Sequence, residues 1–236
     1  MTGGARGIGL EMCRQLADQG LRVLVGARGR EAAEEAWRVI GPAALPLALD
    51  VTSAKSVTQA VREATGLTGG IDVLVNNAGV SLDRELRPPN VDEDILRATL
   101  DTNLTGAWRV AEAVVPGMVE AGYGRVVNVT SSYGSLALTD SGRHPAYRIS
   151  KTALNALTRM LAAELSGTGV LVNAADPGWT RSGRGGHPGL AGAPSRRRRD
   201  DGRAVRRPQA AAVVNRLRSG MGPASPRRRR CAAPAP

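Results

Sequence analysis

Only two cysteines occur in 236 residues, Cys13 inside a helix-patterned stretch and Cys231 near the C-terminus, so no disulfide framework is expected and a reducing compartment is. No apolar run approaches the roughly 20 residues that cross a bilayer as a helix, and the first residues carry no signal-peptide pattern. A cytoplasmic location away from membranes is the expectation. The two histidines, His144 and His187, do not stand at metal-ligand spacing from Cys, Asp or Glu. Both are read as exposed side chains, and no metal is expected.

Acidic residues are scarce at one end alone. The formal net charge is +11, yet residues 1–180 hold 17 Lys and Arg against 19 Asp and Glu, while residues 181–236 hold 15 Arg against 2 Asp. The basic character therefore belongs to the tail. From 181 on, 40 of 56 residues are Arg, Pro, Ala or Gly, and Lys, Glu, Ile, Phe, Tyr, Trp and Thr are absent. So little apolar surface cannot repay the entropy of ordering, which predicts disorder. The chain divides into a body, 1–182, and a tail, 183–236.

What is present in the body is alternation. Apolar runs at 21–25, 45–49, 71–75, 125–129 and 170–174 read as strands, and helical patterns cover 7–18, 31–39, 53–64, 91–115 and 146–165. Continuous apolar strands between helices imply a parallel sheet covered on both faces, a doubly wound, Rossmann-like α/β fold. In such a fold a strand leads into the first glycine-rich turn, but only Met1 and Thr2 precede Gly3. The first, central strand is expected to be missing.

The turn Gly3-Gly-Ala-Arg-Gly7-Ile-Gly9 suits a backbone that must approach a pyrophosphate and then open a helix whose amides face the anion, with Ile8 beside it. The second apolar strand ends in Val25-Gly-Ala-Arg28, with no carboxylate to accept from a ribose 2′-hydroxyl. Arg28, helped by Arg6, can instead pair with a 2′-phosphate, so NADP(H) is the expected cofactor.

Tyr147 and Lys151, four apart in Tyr147-Arg-Ile-Ser-Lys151, share a helix face, where an ammonium could favour the ionised phenol. Tyr147 stands 16 residues after Ser131 of Asn128-Val-Thr-Ser131-Ser-Tyr-Gly134, and the pair precedes Asp176-Pro177-Gly178-Trp179. With the glycine turn and Asn76-Asn77-Ala78-Gly79, this order and spacing over residues 2–182 resembles the short-chain dehydrogenase/reductase family, in its carbonyl-reductase-like branch. The resemblance implies an oxidoreductase that moves hydride between NADP(H) and a carbonyl or alcohol. It implies that Tyr147 is the proton donor, that Lys151 lowers the tyrosine pKa and holds the nicotinamide ribose, and that Ser131, with Ser132 as runner-up, orients the carbonyl. Asn103 would hold a proton-relaying water. Asp50 would accept from the adenine amino group or, on local sequence, cap the next helix, with Val51 following it. Asn76 would support the sheet, Asn77, Ala78 and Gly79 would border the cofactor, Pro177 and Gly178 would turn the chain over the nicotinamide, and Ser182 would meet its carboxamide. Tyr133 either lines the substrate pocket or packs beside the serine. A homo-oligomer pairing its long helices is consistent with the resemblance.

Two other functions stay open: an inactive remnant of such an enzyme, and a polyanion-binding protein acting through its tail. The tail has no aromatics between its arginines for base stacking, so specific nucleic-acid binding is not expected. Family members continue after Pro-Gly-Trp with an apolar loop and a last strand, which the tail does not offer. A frameshift near 182–184 is expected, with a natural basic tail as the alternative. Met1 is read as a misplaced start within a longer gene or the edge of a fragment. Expressed alone, residues 1–236 are expected to be aggregated or partly unfolded. Sequencing the surrounding DNA should show a strand-coding stretch in frame before Met1, and a one-base correction near codons 180–185 should restore an Ala-rich helix and a closing strand. Without either, both expectations fail.

Overall fold

A computed structural model describes residues 1–139 and 141–178. The elements run α1 (Gly7–Asp18), β1 (Val23–Ala27), α2 (Arg30–Ile40), β2 (Ala44–Ala48), α3 (Ala54–Thr68), β3 (Val73–Asn76), α4 (Glu93–Leu100), α5 (Gly106–Glu120), β4 (Gly124–Val129), α6 (Pro145–Glu164) and β5 (Val170–Ala175). The alternation expected from the sequence is present, with boundaries moved by up to four residues. The expected single helix over 91–115 is different. It is α4 and α5 joined by a π-helical turn, Asp101–Thr105, and α5 continues through Pro116 to Glu120.

All described strand pairs are parallel, but they form two sheets, β1-β2 and β3-β4-β5. Between the sheets run residues 1–4. Met1 N donates to Leu24 O at 3.0 Å and Met1 O accepts from Gly26 N at 2.9 Å, while Gly4 N donates to Gly26 O at 2.9 Å. On the other side Thr2 N donates to Val75 O at 3.0 Å. These few residues occupy the end of a central strand position and bond to both neighbours, while below Met1 a slot of about 390 Å³ separates β1 from β3. A closing strand past β5, and the whole tail, lie outside the described residues.

Successive strand residues point to opposite faces, which is why the strands read as unbroken apolar runs. Leu74 and Val126 face one core with Val57, Ala60 and Ala64 of α3 and Val110, Val114 and Met118 of α5. Val75 and Val127 face the other, with Met12, Cys13 and Leu16 of α1 and Ala36 of α2. Met12, Cys13 and Met118 are at most 1% exposed, and full burial of a methionine is worth roughly 1.5–3 kcal/mol. Burial pushes the Cys13 thiol pKa up and keeps it a packing group.

A buried polar chain crosses the sheet. Asn76 Nδ2 donates to Asn128 Oδ1 (3.0 Å) and to Ala107 O (3.2 Å), and Asn128 Nδ2 donates to Thr158 Oγ1 (2.9 Å). This ties β3, β4, α5 and α6 together, so Asn76 is placed as the resemblance suggested. Asn128→Ala would strip partners from two buried groups and should cost about 1–3 kcal/mol in urea unfolding. A loss under a few tenths would show that the chain contributes no more than an exposed polar contact.

Candidate active site

The strands of both sheets end at one edge, and there the loops after β1, β3, β4 and β5 enclose a cleft of about 790 Å³. Its floor is the glycine turn. Gly3 and Gly7 have φ of +62° and +56°, values that only glycine adopts readily, and Gly7 lies open to the cleft. At Gly9 a Cβ would come within 2.1 Å of Gly3 O, so the helix can start against the turn only with a bare backbone. Arg6 stands at the α1 N-cap with no side-chain cap bond, and the first amides of a 12-residue helix face the cleft beside Ile8. That edge attracts an anion.

Arg6 and Arg28 are exposed and line the cleft, as do Gly29 and Asp50. Asp50 Oδ1 accepts from Thr52 N (3.0 Å) and Thr52 Oγ1 (2.7 Å), bonds that hold the carboxylate pKa low, and Arg28 and Arg109 lower it further. The cap of α3 is Ser53, which accepts from Ser56 N at 3.2 Å. The alternative of Asp50 as the helix cap is thereby displaced. Val51 is buried and its carbonyl accepts from Arg109 Nη1.

The far wall comes from the loop after β3. Asn77 Nδ2 donates to Thr2 O and Gly3 O at 3.1 and 2.9 Å, so it braces the glycine turn. Thr2, 2% exposed, accepts from Asn77 N and Ala78 N at Oγ1, both at 3.0 Å. Asn103, in the π turn, is 1% exposed; it accepts from Val80 N and donates to Val80 O and Ser150 Oγ. A Cβ at Gly79 would lie 3.3 Å from Asn103 Oδ1 and 3.6 Å from Lys151 Nζ, so the bare glycine brings these groups to one place.

Tyr147 and Lys151 are on the first turns of α6. The Ser131 side chain lies close enough to the Tyr147 phenol to lower its pKa, and its Oγ accepts from Tyr133 N at 3.3 Å. Ser132 is exposed and starts a short 3₁₀ turn, so the structure brings Ser131 to the tyrosine and not the runner-up. The electrostatics differ from expectation. Burial pushes the Tyr147 pKa above its ordinary value, and Ser131 opposes this. Lys151 Nζ lies 5.7 Å from the ring centre and donates to Val129 O at 2.8 Å. Burial lowers the Lys151 pKa to about 8.

Around the tyrosine stand side chains that the sequence did not single out. Asp83, 0% exposed, accepts from Tyr147 N at 3.2 Å across 64 residues, a contact no local pattern announces. His144 is half-buried rather than exposed, with φ +55° and Nδ1 3.5 Å from Ser81 Oγ. Tyr133 packs beside the tyrosine: its ring lies 5.2 Å from His144 and 6.2 Å from Tyr147, with the Arg148 guanidinium 4.5 Å over it. Pro177 borders the cleft and Gly178, at φ +71°, donates to Asp176 Oδ1. Ser182 and His187 lie outside the described residues, and no His, Cys, Asp and Glu cluster fit for a metal occurs among the described ones.

A lysine with a folded pKa of about 8 and an unfolded value near 10.5 binds its proton less well when folded, so it lowers stability below pH 8. That loss is relieved as pH rises from 8 to 10.5. Lys151→Met should therefore stabilise the fold at pH 7 by less than about 3 kcal/mol, the gain fading by pH 10.5. A pH-independent difference in urea midpoints would overturn this.

A profile of the short chain dehydrogenase family matches residues 1–186. The chain is 32% identical over 179 residues to a 3-oxoacyl-acyl-carrier-protein reductase of Vibrio cholerae, covering 76% of this chain and 71% of that protein. It is 33% identical over 184 residues to an acetoacetyl-CoA reductase of Cupriavidus necator, covering 76% and 72%. Among solved structures, a short-chain dehydrogenase of Streptomyces avermitilis superposes with a TM-score of 0.72 at 31% identity, covering 78% of this chain and 67% of that one. A 3-ketoacyl-acyl-carrier-protein reductase of Brucella melitensis, solved with NADH, gives 0.70 at 28% identity, covering 75% and 73%. No described helix is long and apolar enough to cross a membrane. With the cleft, the glycine turn and the Ser131, Tyr147 and Lys151 grouping in one fold, the chain belongs to the short-chain dehydrogenase family of oxidoreductases.

Proposed function

We propose that the protein is an NADP(H)-dependent reductase of a small carbonyl compound, or the corresponding alcohol dehydrogenase. The observation that carries this reading is that Tyr147 and Lys151 line the same cleft as the glycine turn, the uncapped α1 N-terminus, Arg6 and Arg28. A dinucleotide fits the cradle, because the glycine turn leaves the backbone bare and the arginine edge meets phosphate charge. When bound, its nicotinamide supplies or accepts the hydride.

This chain's residues do the rest. Ser131 orients the substrate oxygen, and Tyr147 delivers the proton to it or takes it back. Lys151, held by Val129 O beside the ring, faces the ribose, and Asn103 close to it holds the relaying water. Asp50 and Val51 border the adenine, Ala78, Gly79, Pro177 and Gly178 the nicotinamide side. Carbonyl substrates of the relatives' kind, 3-oxoacyl or acetoacetyl thioesters, are the first compounds to assay. A cytoplasmic homo-oligomer is the proposed working form.

Tyr147→Phe should lower turnover at least about 100-fold with NADPH affinity unchanged, since one proton donor is removed and nothing else. A variant retaining most activity would overturn the assignment. Arg28→Ala should weaken NADPH by about 1.5–3 kcal/mol and leave NADH alone. Equal affinity of the unaltered protein for both cofactors would refute the arginine reading, and cofactor binding without turnover of any carbonyl would favour an inactive remnant.

A further inference from the structure

Residues 81–84, on the loop after β3, run beside the start of α6. Ser81 Oγ is 3.5 Å from His144 Nδ1, and Asp83 Oδ2 accepts from Tyr147 N at 3.2 Å. Arg84 follows Asp83 by one Cα step of about 3.8 Å, so its side chain starts next to the helical turn that carries the proton donor. The two neighbours part there. Asp83 is buried, whereas Arg84 is exposed and lines the cleft with Ser81 and Tyr147.

The nearby carboxylates are engaged elsewhere. Glu85 pairs with Arg143 at 3.3 Å, Asp83 holds the helix amide, and Asp176 Oδ1 accepts from Gly178 N. No carboxylate among the described residues forms an ion pair with Arg84. Its charge acts on the chemistry end of the cleft. Burial raises the Tyr147 pKa, Ser131 and Arg84 oppose this, and Asp176 and Tyr133 add to it. Burial lowers the His144 pKa, with Asp83 opposing and Arg148, Arg84 and Arg143 adding. At Asp50 the arginines that act are Arg28 and Arg109. The cleft therefore has two cationic places, one beside Asp50 and one beside Tyr147.

We propose that Arg84 is a specificity-determining residue that pairs with a carboxylate carried by the substrate, so that the compound reduced is an oxo acid and not a neutral ketone or ester. The assignment rests on the reductase reading of the cleft and names its substrate class. A guanidinium meets a carboxylate through two parallel bonds, and that pairing fixes a carbonyl on the same short chain in distance and direction against Tyr147. Phosphate is better served where the α1 amides, Arg6 and Arg28 line the cleft.

The probes are 4-oxopentanoate and its methyl ester, alike at the ketone and different in charge, assayed with NADPH on residues 1–236. The acid should be favoured in kcat/KM at least about 10-fold, mainly through KM. Arg84→Met should bring that ratio close to one, and Arg84→Lys should keep part of it, since the charge stays and the fork is lost. A merely structural role for Arg84 would lower both probes alike and leave the ratio unmoved. A ratio near one in the unaltered protein, with both probes turned over, would sink the pairing and leave the reductase reading standing. So would a ratio that survives Arg84→Met, or a loss of NADPH affinity in that variant as large as the loss for the acid. Where neither probe turns over, calorimetry on NADPH-loaded protein separates the two readings. Acid binding that the ester lacks and Arg84→Met abolishes supports the pairing and counts against the reductase reading, and no such binding overturns the pairing. An Arg84-dependent preference for acetoacetyl-coenzyme A over the uncharged acetoacetyl-N-acetylcysteamine, with none for the acid, would assign the arginine to a phosphate and overturn the carboxylate.

Discussion

Everything at the site hangs on Thr2. Its backbone bonds to Val75 O, its hydroxyl accepts from Asn77 N and Ala78 N, and its carbonyl takes Asn77 Nδ2. Its neighbours Met1 and Gly4 bond to β1, so Thr2 fastens the segment that joins the β1-β2 half of the molecule to the β3-β4-β5 half, and sets the glycine turn against the loop that leads to Gly79. Threonine suits the position because it offers an acceptor on a short, stiff side chain, so two amides that would otherwise be orphaned are satisfied without added bulk.

The chemistry end is held by a different logic, that of long-range caps. α6 begins at His144 with no local side-chain cap. Asp83, far away in sequence, supplies the acceptor instead, and Asn103 fastens Val80 in the same loop to Ser150 of α6. The position of Tyr147 is therefore set by the loop after β3 as much as by its own helix. A carboxylate at the start of a 20-residue helix is also favoured by the helix dipole, so the contact is electrostatically self-consistent.

How much of this was legible depends on range. The strands and helices follow from local apolar periodicity, and the glycine turn, Ser131, Tyr147 and Lys151 from spacing that encodes a known arrangement. Asp83, Thr2 and His144 were not legible, because what makes each matter is a partner more than 60 residues away. The direction of the Tyr147 shift was also missed: spacing places Lys151 on the right face, but burial and the Val129 carbonyl decide what its ammonium touches. The one long helix expected between 91 and 115 failed for a subtler reason, since a π turn leaves no compositional mark.

That turn has a consequence for the two helices it joins. An extra residue in the turn offsets the rotational phase of α5 from that of α4 by about 100°. The face that buries Thr99 and the face that buries Ala107, Val110, Ala111 and Val114 are consequently set by separate clocks. Removing a single residue between 101 and 105 would let the stretch wind as one regular helix with Val110 and Val114 still turned inward, but would take away the bulge that carries Asn103 to Val80 and Ser150. The length of this five-residue segment is thus less free to vary than its residues are.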